Sequence, residues 1–127
     1  MSKNPSVVSY YGGKVQLLNQ ILSRIPEHSV YCEPFFGSGA VFFAKPATVG
    51  EIINDQNNLV INFYQQIKSN FSELKRLVDA TLFSRSTHKV AQTIWKLPDL
   101  FSPVQRAWAF FVGCNMGFAA QANGSWG

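Results

Sequence analysis

The sequence has little charge, few cysteines and no two prolines side by side. Charged residues make up 14% of the 127 residues, below the roughly 25% of an ordinary soluble protein, while hydrophobic residues make up 46%. This apolar content excludes disorder as the main state of the chain. The length corresponds to one domain, or to one small domain plus part of a second. Because all six prolines are separated, any chemistry that needs a Pro-Pro pair is absent.

The two cysteines, Cys32 and Cys114, are too far apart in sequence to form a metal or redox motif, and both lie in apolar runs. We expect buried free thiols and no metal site. The N-terminus lacks the apolar core of a signal peptide, so a reducing, cytoplasmic setting is expected. Residues 107–127 carry no charge, but polar residues and glycines interrupt them, so no membrane span is predicted.

The positive charge is confined to one half of the chain. Residues 1–64 are formally neutral, and residues 65–127 carry the whole net charge of +4. A basic half joined to a neutral half is typical of a polyanion-binding segment attached to a small-molecule domain. A solvated helical surface would show the same pattern, and charge alone does not separate the two.

Hydrophobic periodicity predicts a βαβ unit followed by helices. The predicted elements are a helix at 15–25, strands at 28–33 and 48–54 around a short helix at 40–45, and helices near 56–68, 72–82, 86–95 and 103–112. An irregular tail is expected from Asn115 to Gly127. Two strands are too few for a parallel sheet covered on both faces. The chain therefore resembles the front end of a doubly wound α/β domain, whose open sheet edge would favour self-association or a missing C-terminal segment.

A glycine turn, residues 33–39, follows the first predicted strand, where open α/β sheets bind their ligands. It is not a dinucleotide fingerprint, because Phe42 occupies the position of the third glycine. The Glu33 carboxylate would repel a pyrophosphate and favour a ligand that carries an ammonium or another cation. S-adenosylmethionine carries a sulfonium and an α-ammonium group and no phosphate. For Gly37 and Gly39 the alternative is a generic turn between a strand and a helix.

Two charged residues add to this turn. Asp55 ends the second predicted strand, where a carboxylate can accept hydrogen bonds from a ribose diol. It could instead cap the next helix, although Asn54 or Asn57 could fill that role. Lys14 follows two tyrosines and two glycines and could hold a ligand carboxylate. A solvated lysine is the alternative, but a positive charge is mildly unfavourable at a helix N-terminus.

Three blocks of sequence together resemble the Dam-like class of adenine-specific DNA methyltransferases. They read YYGGK at 10–14, YCEPFFGSGAV at 31–41 and IINDQNNLVINFY at 52–64, in the order and spacing of that family. A weaker likeness begins at residue 115, where the family carries Asn-x-x-Gly-aromatic and this sequence reads Asn-Met-Gly-Phe. The resemblance implies an incomplete Rossmann-like methyltransferase fold, with a cofactor-binding part in residues 1–64 and a partial, helical DNA-recognition region in residues 65–127.

The resemblance also implies which residues bind. The expected S-adenosylmethionine ligands are Tyr11, Gly13, Lys14, Glu33, Pro34, Phe35, Gly37, Gly39 and Asp55. Double-stranded DNA is the implied partner, with Lys and Arg side chains such as Arg106 on its phosphates. Phe118 is a candidate wedge between base steps, although a core phenylalanine is the alternative.

The family's catalytic motif, Asp-Pro-Pro-Tyr or a close variant, is missing because the sequence has no Pro-Pro. In the family this motif holds the exocyclic amine of a flipped adenine. We therefore expect this chain alone not to transfer a methyl group, and its catalytic residues are unknown. The competing interpretation is a degenerate homologue that binds cofactor or DNA without catalysis. A nicotinamide or flavin oxidoreductase conflicts with Phe42 and Glu33.

Overall fold

The computed structural model describes residues 6–116, and the chain divides into two compact units, Met1–Gln56 and Asn57–Gly127. The sequence-based prediction places this boundary after residue 64. In the structure the helix Asn58–Ser69 lies wholly in the second unit, because its apolar face packs on another helix of that unit. The division thus falls at the start of this helix.

The first unit contains the predicted βαβ arrangement. Its elements are a 3-10 helix (Lys14–Leu17), helix α1 (Leu18–Leu22), strand β1 (Val30–Glu33), helix α2 (Ala40–Ala44) and strand β2 (Gly50–Ile53). The two strands pair in parallel, with Val30 opposite Gly50 and Glu33 opposite Ile53. The parallel pairing confirms the predicted strand order and direction. It also brings the carboxyl ends of both strands to the same edge of the sheet.

One face of this small sheet is exposed, contrary to the expectation of buried strands. Val30 and Ile52 expose 59% and 56% of their surface, and Cys32 is also exposed. The prediction that Cys32 is a buried thiol is therefore wrong. Side chains alternate between the faces of a strand, so Val30 and Cys32 share the face that the described residues leave open. An apolar run in sequence does not reveal which of its residues face a neighbouring element.

The other face of the sheet packs against the end of α2. The Nζ of Lys45 lies 4.4 Å from the centroid of the Tyr31 ring and 2.5 Å from Oε1 of Glu51. The hydrogen bond from Lys45 is the largest of the effects that lower the pKa of Glu51. Lys45 is itself buried. A buried ammonium requires such a partner, and here the aromatic ring adds a cation–π contact.

The second unit is helical in its described part. Its helices are α3 (Asn58–Ser69), α4 (Phe71–Asp79), α5 (Arg85–Lys96) and α6 (Pro103–Met116). A 3-10 turn (Pro98–Leu100) precedes α6. These elements confirm the predicted helices, with two differences at their ends. Helix α4 ends before Leu82, which is largely exposed. Helix α6 includes Asn115, whose side chain donates a hydrogen bond to the Phe111 carbonyl, so the predicted tail begins too early.

Helix α6 lies at the centre of this unit. Ala107, Phe110 and Val112 are fully buried on it. On one side Phe110 contacts Phe63 of α3, with ring centroids 5.3 Å apart. On another side Val112 joins a cluster with Ala91 of α5. Burial on more than one side explains why α6 has few polar residues, and no helix within residues 6–116 is long and apolar enough to cross a membrane.

The two thiols should differ sharply in reactivity. Cys114 is buried in α6, and burial raises the pKa of its thiol to about 12. Below that pH the group stays protonated, and the thiolate is the reactive species. We expect one thiol per folded chain to react with a disulfide reagent near pH 8, and two after unfolding in urea. Cys32→Ser should abolish the reaction of the folded chain. Equal reaction rates of both thiols would contradict the burial of Cys114.

Candidate functional site

The glycine turn is joined to the end of β2 by backbone hydrogen bonds. Beyond the paired strands, the Asn54 amide donates to the Glu33 carbonyl and the Phe36 amide donates to the Asn54 carbonyl, both at 2.9 Å. The Asn54 side chain also donates to the Pro34 carbonyl. These bonds extend the pairing of the strands into the turn. The turn therefore has a fixed position at the carboxyl edge of the sheet.

Asp55 binds the glycine turn. Its Oδ2 accepts a hydrogen bond from the Gly37 amide at 2.8 Å. The cap of α3 is Asn57, whose side chain accepts from the Leu59 amide. Gly37 has a φ of +55°, a conformation that other residues rarely adopt. The structure thus places Asp55 beside the turn, as the ligand-binding interpretation requires, and gives the capping role to its neighbour.

Glu33 is a buried carboxylate with a partner on each oxygen. Its Oε1 accepts from the Nζ of Lys14 at 3.0 Å, and its Oε2 accepts from the hydroxyl of Tyr31 at 3.0 Å. The Lys14 ammonium also donates to the Phe35 carbonyl. Burial, and secondly the nearby Glu33 charge, raise the pKa of Tyr31 to about 12. At neutral pH the phenol is therefore protonated and can donate to the carboxylate.

Gly13 and Gly39 allow the segments of the site to approach closely. A Cβ on Gly13 would lie 3.1 Å from the Tyr10 carbonyl and 3.2 Å from the Ser38 hydroxyl, so the N-terminal loop packs directly on the turn. Gly39 has a φ of +72°, and a Cβ there would lie 2.6 Å from the Phe36 ring. Because Phe36 is buried, it has little room to move aside. Both glycines are therefore required by the packing of the turn.

The structure brings most of the predicted cofactor residues together. Lys14, Glu33, the Phe35 carbonyl, Gly37 and Asp55 are linked by the contacts above. Tyr11 and Phe35 expose 68% and 75% of their surface, so their rings are open to solvent. Pro34 is also exposed and takes part through its carbonyl. This arrangement can present a carboxylate, an ammonium and two aromatic rings to one small ligand.

Of the two residues predicted to bind DNA, one lies in the second unit and one falls outside the described residues. Two contacts at the glycine turn were not predicted from the sequence. Arg106 lies in the second unit, half-buried on α6, and Phe118 falls outside the described residues. Tyr31 and Ser38 are contacts of the site that the sequence-based prediction missed. The alternation of a strand could have identified Tyr31, because it shares a face with Glu33 two residues later. Among the described residues, no group of three His, Cys, Asp or Glu side chains could hold a metal ion.

Comparison with known proteins gives a consistent result. A family model described as D12 class N6 adenine-specific DNA methyltransferase matches residues 10–93. The type II methyltransferase M1.LlaDCHI of Lactococcus lactis subsp. cremoris is 44% identical over 68 residues, which cover 53% of this chain and 24% of that protein. A DNA adenine methylase of Salmonella typhi is 30% identical over 105 residues, 83% of this chain and 37% of that protein. The chain thus spans well under half the length of these curated relatives.

The role of Gly39 can be tested against a matched glycine. Gly12 has nearly the same φ, +73°, but a Cβ there would meet no atom within 4 Å. Gly12→Ala should cost only the conformational strain of about 1–2 kcal/mol. Gly39→Ala should cost about 1–3 kcal/mol more, because its methyl group overpacks against Phe36 and Phe43. Urea unfolding of both variants measures this difference, and equal losses would contradict the steric argument.

Proposed function

The chain belongs to the family of D12 class N6 adenine-specific DNA methyltransferases, and on that premise we propose that it forms the cofactor-binding part of an enzyme that methylates adenine in DNA. The observation that supports this proposal most directly is the set of charged contacts at the glycine turn, Lys14 with Glu33 and Asp55 with Gly37. In the proposed enzyme a Rossmann-like methyltransferase sheet includes β1 and β2, and the methyl group passes to the exocyclic N6 amine of adenine.

The residues of the turn fit S-adenosylmethionine as the cofactor. The amino-acid end of that molecule is a zwitterion, and the site holds one group of each sign, 3.0 Å apart. We assign its α-ammonium group to Glu33 and its α-carboxylate to Lys14. Asp55 would accept hydrogen bonds from the ribose hydroxyls, in an orientation fixed by the Gly37 amide. When bound, the cofactor supplies an electrophilic methyl group on its sulfonium.

The other predicted cofactor residues have supporting roles. We assign the exposed rings of Tyr11 and Phe35, with Pro34, to apolar contacts with the cofactor. Gly13 and Gly39, which lack a Cβ, allow the neighbouring groups to pack closely against the turn. Tyr31 keeps Glu33 oriented by its hydrogen bond. These contacts would position the ligand.

Catalysis needs a group that this sequence lacks. The amine of adenine is a poor nucleophile because its lone pair is delocalised into the ring, so it must be held close to the methyl group. Without an Asp-Pro-Pro-Tyr-like motif nothing in the 127 residues is assigned to that task. The competing interpretation, a homologue that binds cofactor or DNA without methylating it, stays a prediction.

The basic second unit is proposed to bind double-stranded DNA. All of the net charge lies after residue 64, and exposed basic side chains occur on α4 and α5. Arg106 is assigned to this role, and so is Phe118 as a wedge. Self-association through the open sheet edge stays a prediction, as does the cytoplasmic location.

Cofactor binding can be measured by calorimetry with S-adenosylmethionine. Asp55→Asn keeps an oxygen that can accept from the Gly37 amide but loses the charge. We expect affinity to fall by about 1–3 kcal/mol, because a charged acceptor for the ribose hydroxyls is lost. Asp79→Asn, at an exposed ion pair of α4, is the matched control and should leave affinity unchanged. If Asp55→Asn binds S-adenosylmethionine as tightly as the unaltered chain does, the assignment of Asp55 to the ribose is wrong.

Methyl transfer can be measured with S-adenosylmethionine carrying a labelled methyl group and adenine-containing duplex DNA. We expect no turnover by the 127-residue chain purified from a host without adenine methyltransferases. Activity should return when a segment with an Asp-Pro-Pro-Tyr-like motif is supplied. Cofactor binding by the same preparation excludes misfolding as the cause. Turnover by the chain alone would require a catalytic group among its own residues.

A further inference from the structure

The helical unit contains a polar cavity that the proposed cofactor site does not use. It has a volume of about 610 Å³ and lies between α3 and the segment that runs from the end of α5 to the second turn of α6. Asn58 and Gln65 of α3, Trp95 of α5, Asp99, and Arg106 of α6 are among its lining residues. The Asn62 side chain donates to the Pro103 carbonyl at 2.9 Å and ties the two walls together. A cavity of this size can hold a group as large as a nucleotide.

Two residues that line this cavity each carry a buried hydrogen-bond donor without an acceptor among the described residues. The Nε of Arg106 and the Nε1 of Trp95 are both buried, and neither has a hydrogen-bond partner among the described residues. A buried N–H without an acceptor destabilises the protein, so an unpaired buried donor needs an explanation. Here two of them, on different helices, belong to residues that line the same cavity. This coincidence indicates a ligand that brings acceptor oxygens.

The charges around the cavity favour an anionic ligand. Arg106 is permanently charged, and its guanidinium can bind the oxygens of a phosphate. The cavity also includes the first turn of α3, which carries the positive end of the helix dipole. Asp99 is the one carboxylate among the lining residues, and it is exposed, so solvent screens its repulsion. The amides of Asn58 and Gln65 can donate or accept.

We propose that this cavity binds a backbone phosphate of DNA, with Arg106 and Trp95 as the donors to its oxygens. The inference rests on the proposed DNA-binding function and names the chemical group and the residues that hold it. A polymer of phosphates fits better than a free phosphate, because only a polyanion can contact the exposed basic residues on α4 and α5 of the same unit at the same time as the cavity.

The test compares variants that remove either the charge or only the donor. Arg106→Ala removes both, Trp95→Phe removes the N–H and keeps an aromatic ring, and Arg106→Lys keeps the charge without Nε. Arg24→Ala removes the same charge from an exposed position in the first unit and serves as control. Binding of a labelled duplex to the full chain is measured by fluorescence anisotropy over a series of salt concentrations. Circular dichroism shows which variants are folded.

The expected results separate the two donors. Arg106→Ala should weaken binding about tenfold and lower the slope of log affinity against log salt by about 0.9, the value for one phosphate contact. Trp95→Phe should weaken binding about threefold with an unchanged slope, because it removes one hydrogen bond and no charge. Arg106→Lys should restore the slope without restoring the full affinity. If Arg106→Ala unfolds, Arg106→Lys and Trp95→Phe still decide the question.

Other outcomes would overturn one proposal or the other. If the unaltered chain binds no duplex at any salt concentration, the proposed DNA-binding function itself is wrong. If the chain binds the duplex but the cavity variants behave like Arg24→Ala, only the assignment of the cavity is wrong. Inorganic phosphate at constant ionic strength supplies the last arm. If it displaces the duplex at micromolar concentration in the unaltered chain and not in Arg106→Ala, the cavity is a site for free phosphate instead.

Discussion

The parallel pairing of β1 and β2 is the constraint on which the candidate site depends. It places Glu33 opposite Ile53. Asp55, which follows Ile53 by two residues, therefore reaches the turn that follows Glu33. The hydrogen bond from the Gly37 amide to Asp55 then fixes the turn. A slip of one residue would turn Glu33 to the other face and separate it from Lys14 of the N-terminal segment. Four residues per strand therefore determine the position of each charged group in the site.

Helix α6 has the corresponding role in the second unit. Its buried residues contact α3 through Phe110 and α5 through the cluster with Ala91, so both helices are held by one apolar surface. Trp108 adds a hydrogen bond of 2.7 Å to Thr81, after the end of α4. The polar cavity lies beside this core, where Arg106 follows the first turn of α6. Rigid packing on one side thus leaves a polar surface of fixed shape on the other.

Much of the fold and most of the site could be predicted from local sequence. Periodicity located the helices, and the glycine turn after β1 indicated the candidate site, because turn chemistry and helical spacing act within a few residues. Burial could not be predicted in the same way. Cys32 lies in an apolar run yet is exposed, since its environment depends on what covers a two-stranded sheet. The cavity at Arg106 depends on contacts between α3 and α6, residues distant in sequence, so charge alone could suggest a role for Arg106 but no partner such as Trp95.

The pairing of Lys14 with Glu33 shows how three-dimensional structure changes the meaning of two sequence predictions. Taken separately, the lysine favours a ligand carboxylate and the glutamate a ligand cation. In the structure each is the partner of the other at 3.0 Å, and the glutamate is buried. A buried carboxylate without a partner would be costly, so the lysine stabilises the site in the absence of ligand. A ligand with one charge would leave one member of the pair poorly compensated. A zwitterion can satisfy both, and this physical reason favours an amino-acid end over a phosphate at the glycine turn.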